Sequence, residues 1–269
     1  MIEVDDIFYR YPGSGEDALR GVSLRVEPEA VIGIVGPNGS GKSTVSRLMK
    51  GLLLPTAGVV RVDGIDSRTE SLEVRRRVGL VFQNPNSQIV NTVVEYEVAF
   101  GPENLGLPSP EIGERVAIAL AAVGLEGHEA SECHSLSMAD KQRVAIASVL
   151  AMHPRYLILD EPTAWLEPVA RRRLLTEVVR WTRTRGVGLV LVTHRMDEAQ
   201  ICDRLYGMLD GRIEMEGTPE EVLLDERARA RLALSVPEAY ELTRELHAAG
   251  LPVAPGEPLE QVAEALCPF

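Results

Sequence analysis

The sequence predicts an α/β fold with a mainly parallel central sheet, an antiparallel β-subdomain, a helical subdomain and a small C-terminal helical extension. Three observations carry this. Short strands that are almost wholly apolar recur at Val31–Val35, Val78–Phe82, Tyr156–Leu159 and Leu189–Val192, as expected of strands covered on both faces in a parallel sheet. Helical stretches separate them, the alternation of a doubly wound sheet. The stretch from Thr92 to Met152 holds no such strand.

Along the chain, Ile2 to Phe8, Val22 to Val26 and Val59 to Asp63 alternate apolar and polar residues, the pattern of half-exposed strands. Pro12-Gly13-Ser14-Gly15 and Pro55-Thr56-Ala57-Gly58 between them are turn chemistry. The apolar spacing Ile112, Val116, Ala119, Leu120, Val123, ending at Gly124, places a helix inside a helical insertion over residues 92–152. Leu205 to Gly217 reads as a hairpin turning at Asp210-Gly211. Residues 1–235 are expected to form the main domain. Residues 236–269 differ in texture: Pro237 opens a helix ending near Gly250, and a Pro-rich link leads to Leu259, Val262, Ala263 and Leu266 on one helical face. This appendage is expected either to stand as a small subdomain or to return onto the main domain.

Composition narrows the function. The 269 residues are 45% apolar and 25% charged, which excludes wholesale disorder. Lys+Arg number 28 against 40 Asp+Glu, a net charge of −12, so a general nucleic-acid binder, which needs a basic face, is disfavoured. Cys133, Cys202 and Cys267 lie far apart with no CxxC pair, against a zinc site or disulfide framework and in keeping with a reducing compartment. The first ten residues carry acids where a signal peptide carries bases. No apolar run approaches the ~18 residues of a membrane span. The expectation is a soluble, cytoplasmic protein that reaches a membrane only by docking to something that spans it.

The strongest local signal is Gly36-Pro37-Asn38-Gly39-Ser40-Gly41-Lys42-Ser43, between an apolar strand and the helical run from Thr44 to Met49. This is the full phosphate-loop pattern in its strand–loop–helix context. The glycines let backbone N–H groups turn inward and converge with a helix N-terminus on a β-phosphate. Lys42 supplies a cation to the β- and γ-phosphates, and Ser43 offers its hydroxyl to Mg²⁺.

Asp160 and Glu161 follow the apolar Leu157-Ile158-Leu159, at the carboxyl edge where α/β sheets bind ligands. Neighbours on a strand point opposite ways, so the two take different tasks: Asp160 near Mg²⁺, Glu161 as a base for water. Gln83 and His194 end two further apolar strands in the same manner. Lys/Ser, Gln, Asp/Glu and His at one sheet edge make a nucleotide-hydrolysing site.

This set resembles the ATP-binding cassette (ABC) ATPases, a branch of the P-loop NTPases. Residues 81–107, VFQNPNSQIVNTVVEYEVAFGPENLGL, look most like the ATP-binding subunits of energy-coupling-factor (ECF) importers for vitamins and transition metals such as cobalt. The resemblance covers nearly the whole chain; the last 34 residues look like that subfamily's dimerisation region. It implies ATP and Mg²⁺ as ligands. It makes Tyr11 the aromatic that stacks on adenine and Gln83 the residue sensing Mg²⁺ and the transmembrane partner. Asp160 becomes the magnesium-site acid, Glu161 the catalytic base and His194 the switch histidine.

Two departures stand out. Where the family writes LSGGQ, presented across a dimer to the partner's γ-phosphate, this chain writes Leu136-Ser137-Met138-Ala139-Asp140. Side chains at Met138 and Ala139 obstruct the close approach that glycine permits, and Asp140 brings negative charge towards a phosphate. Glu167 stands where the family has an aspartate, a milder change. The resemblance therefore implies a peripheral subunit at the cytoplasmic face of the cell membrane, paired with a paralogous ATP-binding subunit in preference to a second copy of itself. It also implies a transmembrane coupling subunit and a substrate-binding membrane subunit, and no nucleic acid. The alternatives are a nucleotide-binding regulatory subunit with little turnover and a soluble, non-transport ABC ATPase.

Overall fold

The computed structural model describes residues 1–232, 234, 236–254, 257, 262, 263 and 266. The chain begins with antiparallel strands β1 (Ile2–Tyr9) and β2 (Leu19–Val26), then enters β3 (Val31–Val35), the phosphate-loop segment and helix α1 (Lys42–Met49). It returns through β4 (Ala57–Val62) and β5 (Ile65–Asp66) to α2 (Ser71–Arg77) and β6 (Val78–Val81). Three helices follow, α3 (Val94–Asn104), α4 (Ser109–Val123) and α5 (Met138–Leu150). Next come β7 (Tyr156–Asp160), α6 (Pro168–Thr184), β8 (Gly188–Val192) and the short α7 (Met196–Ala199). The hairpin β9 (Arg204–Leu209) and β10 (Arg212–Gly217) precedes α8 (Pro219–Leu224), α9 (Glu226–Leu232) and α10 (Glu238–Ala248).

Two sheets result, one four-stranded in the order β2-β1-β4-β5 and one six-stranded in the order β10-β9-β3-β8-β7-β6. The first is antiparallel throughout. In the second, β9, β3, β8, β7 and β6 run parallel, and β10 adds an antiparallel edge. The four apolar strands expected at its centre are contiguous as β3, β8, β7 and β6, but β6 stands at the sheet's edge, where its apolar residues are still covered from both faces.

Alternation along these strands splits the interior in two. Val31, Val35, Leu157, Leu159, Leu189 and Leu191 face α3–α6. Ile32, Ile34, Ile158, Val190 and Val192 face α1 and the four-stranded sheet. The expectation of helices on both faces is thus corrected: the second face is covered largely by another sheet. That explains how the half-exposed strands near the N-terminus bury Ile2, Val4, Ile7, Val22, Leu24, Val60 and Val62.

The helical insertion forms as its spacing predicts. Val116, Ala119, Leu120 and Val123 of α4 are buried, and Gly124 ends the helix at φ 70°, the left-handed C-cap that glycine adopts without strain. Asp210 and Gly211 turn the late hairpin with φ of 46° and 76°, the paired positive values of a type I′ turn. Beyond it, α10 starts after Pro237 and buries Tyr240 and Thr243. Tyr240 joins the helix-side core with Leu205, Val222 and Leu232. The expected C-terminal face includes Leu259, which lies outside the described residues, as does Cys267. Among the described residues, no helix is long and apolar enough to cross a membrane.

Candidate active site

Strand register sets the site. Ile34 pairs with Val192, Val192 with Asp160, and Leu159 with Val81. The segments leaving β3, β8, β7 and β6 therefore emerge side by side at one carboxyl edge, the place where open α/β sheets take ligands. They carry the phosphate loop, His194, Glu161 and Gln83 respectively.

The loop from Gly36 to Ser43 depends on glycine at two crowded positions. Gly36 has φ 144° and Gly41 φ 104°. A Cβ at Gly36 would lie 2.1 Å from the Met208 carbonyl oxygen, and one at Gly41 2.7 Å from Leu19 Cδ2. Gly39, also at positive φ, faces open space. Pro37 and Asn38 shape the near side, with Ser40 N–H closing a turn onto the Pro37 carbonyl at 3.3 Å. Gly41 is the N-cap of α1 and no side chain caps that helix, so its N-terminal positive end points into the loop.

Lys42 folds back into this curl. Its Nζ donates to the carbonyls of Gly36 and Pro37, both at 2.8 Å. Burial pushes its pKa down, and the nearby Glu161 and Asp160 carboxylates oppose that. Burial pushes the Asp160 carboxyl up; a hydrogen bond from Ser43 works against it, while Glu161 adds to it. Ser43 and Asp160, two of the three residues expected at Mg²⁺, thus lie together, while the third, Gln83, bonds Glu161. The Ser40 hydroxyl is buried without a hydrogen-bond partner. An inward-turned loop, a cation, an uncapped helix end and a hydroxyl on a buried carboxylate fit a nucleotide's phosphates with a hard cation.

The other predicted residues converge on Glu161. Gln83 Nε2 donates to its Oε2 at 2.7 Å, and the ring N–H at His194 Nδ1 donates to its Oε1 at 3.2 Å. Both oxygens are thus engaged, and the imidazole ring stays half-exposed. Glu161 sits at φ 49°, a left-handed conformation that a residue with a Cβ holds only under local constraint. Its N–H bonds the Val192 carbonyl at 2.9 Å. Tyr11 reaches the same region: its hydroxyl is 3.0 Å from Thr44 Oγ1, and its ring meets Tyr9 edge-on at 4.9 Å.

The departing segment is folded on itself. Ser137 is the N-cap of α5, and Asp140 N–H donates to its hydroxyl oxygen at 3.1 Å. The Ser137 hydroxyl donates in turn to Asp140 Oδ2 at 2.7 Å, and Arg143 lies 3.5 Å from the other oxygen. Met138 Sδ accepts from Asn86 Nδ2 at 3.5 Å, beside the Gln83 loop, and Ala139 is half-buried.

Several contributors carry no motif of their own. Trp165 Nε1 donates to the Gln83 carbonyl at 3.2 Å. Gln142, wholly buried, donates to the Phe82 carbonyl at 3.3 Å and ties α5 to the base of the glutamine loop. Glu198 gathers the hydroxyls of Thr163 and Thr193. In sequence Glu198 is one of two adjacent acids, after Asp197, in a mixed polar stretch following His194, and nothing there singles it out.

Comparison with known proteins agrees with this geometry. Residues 19–164 match the ABC transporter family. The energy-coupling factor transporter ATP-binding protein EcfA1 of Symbiobacterium thermophilum is 51% identical over 254 residues, covering 93% of this chain and 88% of that one. The cobalt import ATP-binding protein CbiO of Syntrophus aciditrophicus is 42% identical, covering 94% and 91%. Among solved structures, cbiO1 of Clostridium perfringens, part of the ABC transporter complex cbiONQ, superposes with a TM-score of 0.76 at 35% identity over 86% of this chain and 95% of that one. The phosphate-loop edge and these matches together show that the chain is an ATP-binding ATPase of the ABC transporter family, among the energy-coupling factor transporter ATP-binding proteins.

Proposed function

We propose that this subunit hydrolyses ATP to drive an ECF-type importer for a vitamin or a transition-metal ion. It works at the cytoplasmic face of the membrane with a transmembrane coupling subunit and a substrate-binding membrane subunit. The observation that carries the reading is the hydrogen-bonded set Gln83–Glu161–His194, carried past the ends of β6, β7 and β8, the three strands that follow the phosphate-loop strand β3 in the sheet. The names of the two curated relatives support the importer and the metal class.

In this reading the backbone of Gly36–Ser43 and the Lys42 ammonium hold the phosphates, and Tyr11 lies against the base. Ser43, Asp160 and Gln83 hold Mg²⁺, which when bound offsets charge on the β- and γ-phosphates. Among the described residues no three His, Cys, Asp or Glu side chains cluster as a metal cage, in keeping with a cation shared between a few protein oxygens and phosphate. Glu161 takes the proton of the attacking water, and His194 orients Glu161 and the γ-phosphate. For Gln83 to serve the cation, its bond to Glu161 must open, which also frees one carboxylate oxygen for water.

The Ser137–Asp140 bond favours a heterodimer with unequal sites. This chain contributes a complete phosphate-loop half, while a partner cassette with an intact LSGGQ supplies the serine and N–H groups that complete it. The site facing this chain's own Leu136–Asp140 segment would be the weak one. Co-expression with such a cassette and the coupling subunit, followed by ATPase and uptake assays in vesicles, tests the reading. Coupled hydrolysis and uptake are expected. Co-purification with RNA instead, or hydrolysis indifferent to the membrane subunits, would point to a soluble ABC ATPase.

A further inference from the structure

Glu198 is a carboxylate only 3% exposed, on a four-residue helix whose Met196 and Ala199 are also buried. An ionised group in such a place is costly unless fully paired, and the pairing is specific. Thr163, two residues past Glu161, donates its hydroxyl to Oε1. Thr193, next to His194, donates to Oε2 at 2.7 Å. Arg195, on the other side of His194, lies 3.4 Å from Oε1. Arg171 of α6 lies 3.5 Å from the same oxygen and donates to the Leu166 carbonyl at 3.0 Å, within the loop that follows Glu161.

The loop carrying Glu161 and the loop carrying His194 therefore rest on one buried carboxylate. Strand pairing fixes the two chains only as far as Asp160 and Val192, with one further bond from Glu161 N–H. On the His194 side Thr193 N–H still bonds the Ile34 carbonyl of β3 at 3.1 Å; beyond these bonds the side chains of Thr163, Thr193 and Arg195 converge on Glu198. We infer that Glu198 is a positioning residue for hydrolysis: it holds the two loops so that His194 meets Glu161 at the observed 3.2 Å. It does not touch the phosphate loop, so nucleotide binding is separate from its action. The inference rests on the reading of Glu161 as the base.

The test uses the full chain with its partner cassette and compares Glu198→Gln, Thr163→Val and Thr193→Val, alone and on a Glu161→Gln background. An amide offers one accepting oxygen where the carboxylate offers two, and each valine removes one donor at nearly constant volume, Thr193→Val also losing the oxygen that accepts from Arg195 N–H at 3.0 Å. Expected is a fall in kcat of about tenfold for Glu198→Gln, the scale of a small misplacement of reacting groups, with the KM for ATP within about twofold of wild type. The two valine variants should combine to less than the product of their separate effects, because they act through one carboxylate. On the Glu161→Gln background the Glu198 effect should vanish, since the residue it orients is gone. An unchanged kcat in folded Thr163→Val and Thr193→Val proteins would overturn the inference, as would a kcat loss that persists in full without Glu161. Full activity of Glu161→Gln by itself would instead refute the assignment of the base.

Discussion

The hydroxyl of Ser137 donates to Asp140 Oδ2 at 2.7 Å, while Asp140 N–H donates back to the same serine at 3.1 Å. This is a capping exchange that stabilises the start of α5. It also commits the one hydroxyl of the segment suited to a phosphate, and places a carboxylate beside it. Reaching a γ-phosphate would require breaking the bond and bringing Asp140 towards like charge.

The purified chain alone should therefore turn over ATP much more slowly than the chain mixed with an LSGGQ-bearing cassette. The combined Met138→Gly, Ala139→Gly and Asp140→Gln variant should raise activity markedly in the chain alone and less in the mixture. Steady-state ATPase assays of the four preparations check this. A fully active wild-type homodimer would show that Ser137 and the helix N-terminus suffice without the glycines.

Tyr11 should set nucleotide affinity modestly, since stacking accepts any base and contributes about 1–3 kcal/mol. Tyr11→Ala should raise the ATP dissociation constant several-fold without abolishing catalysis. Tyr11→Phe keeps the ring and loses only the contact with Thr44 Oγ1, so it should stay within about twofold. Equilibrium titration with a fluorescent nucleotide measures both. Unchanged affinity in the alanine variant would leave Tyr11 as a loop aromatic just past β1, packed on Tyr9.

Stability should depend on pH through Lys50, at the far end of α1 from the phosphate loop. Its Nζ donates to the carbonyls of Arg75 and Val78, and burial lowers its pKa to about 8. A base whose folded pKa lies below its unfolded value of 10.5 binds fewer protons when folded, so stability rises with pH between those values and is flat below about 8. The unfolding free energy of the wild type relative to Lys50→Met should thus climb by at most about 3 kcal/mol from pH 8 to 10.5, at about 1.4 kcal/mol per pH unit. Urea melts across that range check it. A flat difference would mean that the ammonium stays as solvated folded as unfolded.

Much of the site was legible because its chemistry sits at strand ends. Val31–Val35, Leu157–Leu159 and Leu189–Val192 declare themselves by being apolar on both faces; Asp160 and Glu161 follow directly, His194 after one residue, and Lys42 at the end of the Gly-rich loop. Periodicity likewise marked α4, and Asp210-Gly211 marked the late hairpin. Illegible were the contacts made by residues distant in sequence. Nothing in Thr163, Thr193 and Glu198 as letters says that the three meet, because that depends on α7 turning back under the sheet edge. Gln142 reads as an ordinary polar residue of a helix until α5 lies against the glutamine loop. The cover on the second face of the sheet was missed for a similar reason: β1, β2 and β4 look half-exposed singly, and only their pairing builds a surface wide enough to replace a layer of helices.

The most direct measurement is single-turnover ATP hydrolysis by Glu161→Gln in complex with a partner cassette, beside Lys42→Ala. Glu161→Gln should bind ATP as the wild type does and hydrolyse it at least about 100-fold more slowly, the contribution of a general base. Lys42→Ala should instead lose nucleotide affinity, because its ammonium is the loop's own cation. Near-normal single-turnover hydrolysis by Glu161→Gln, with ATP bound, would contradict the assignment of Glu161 as the residue that activates water.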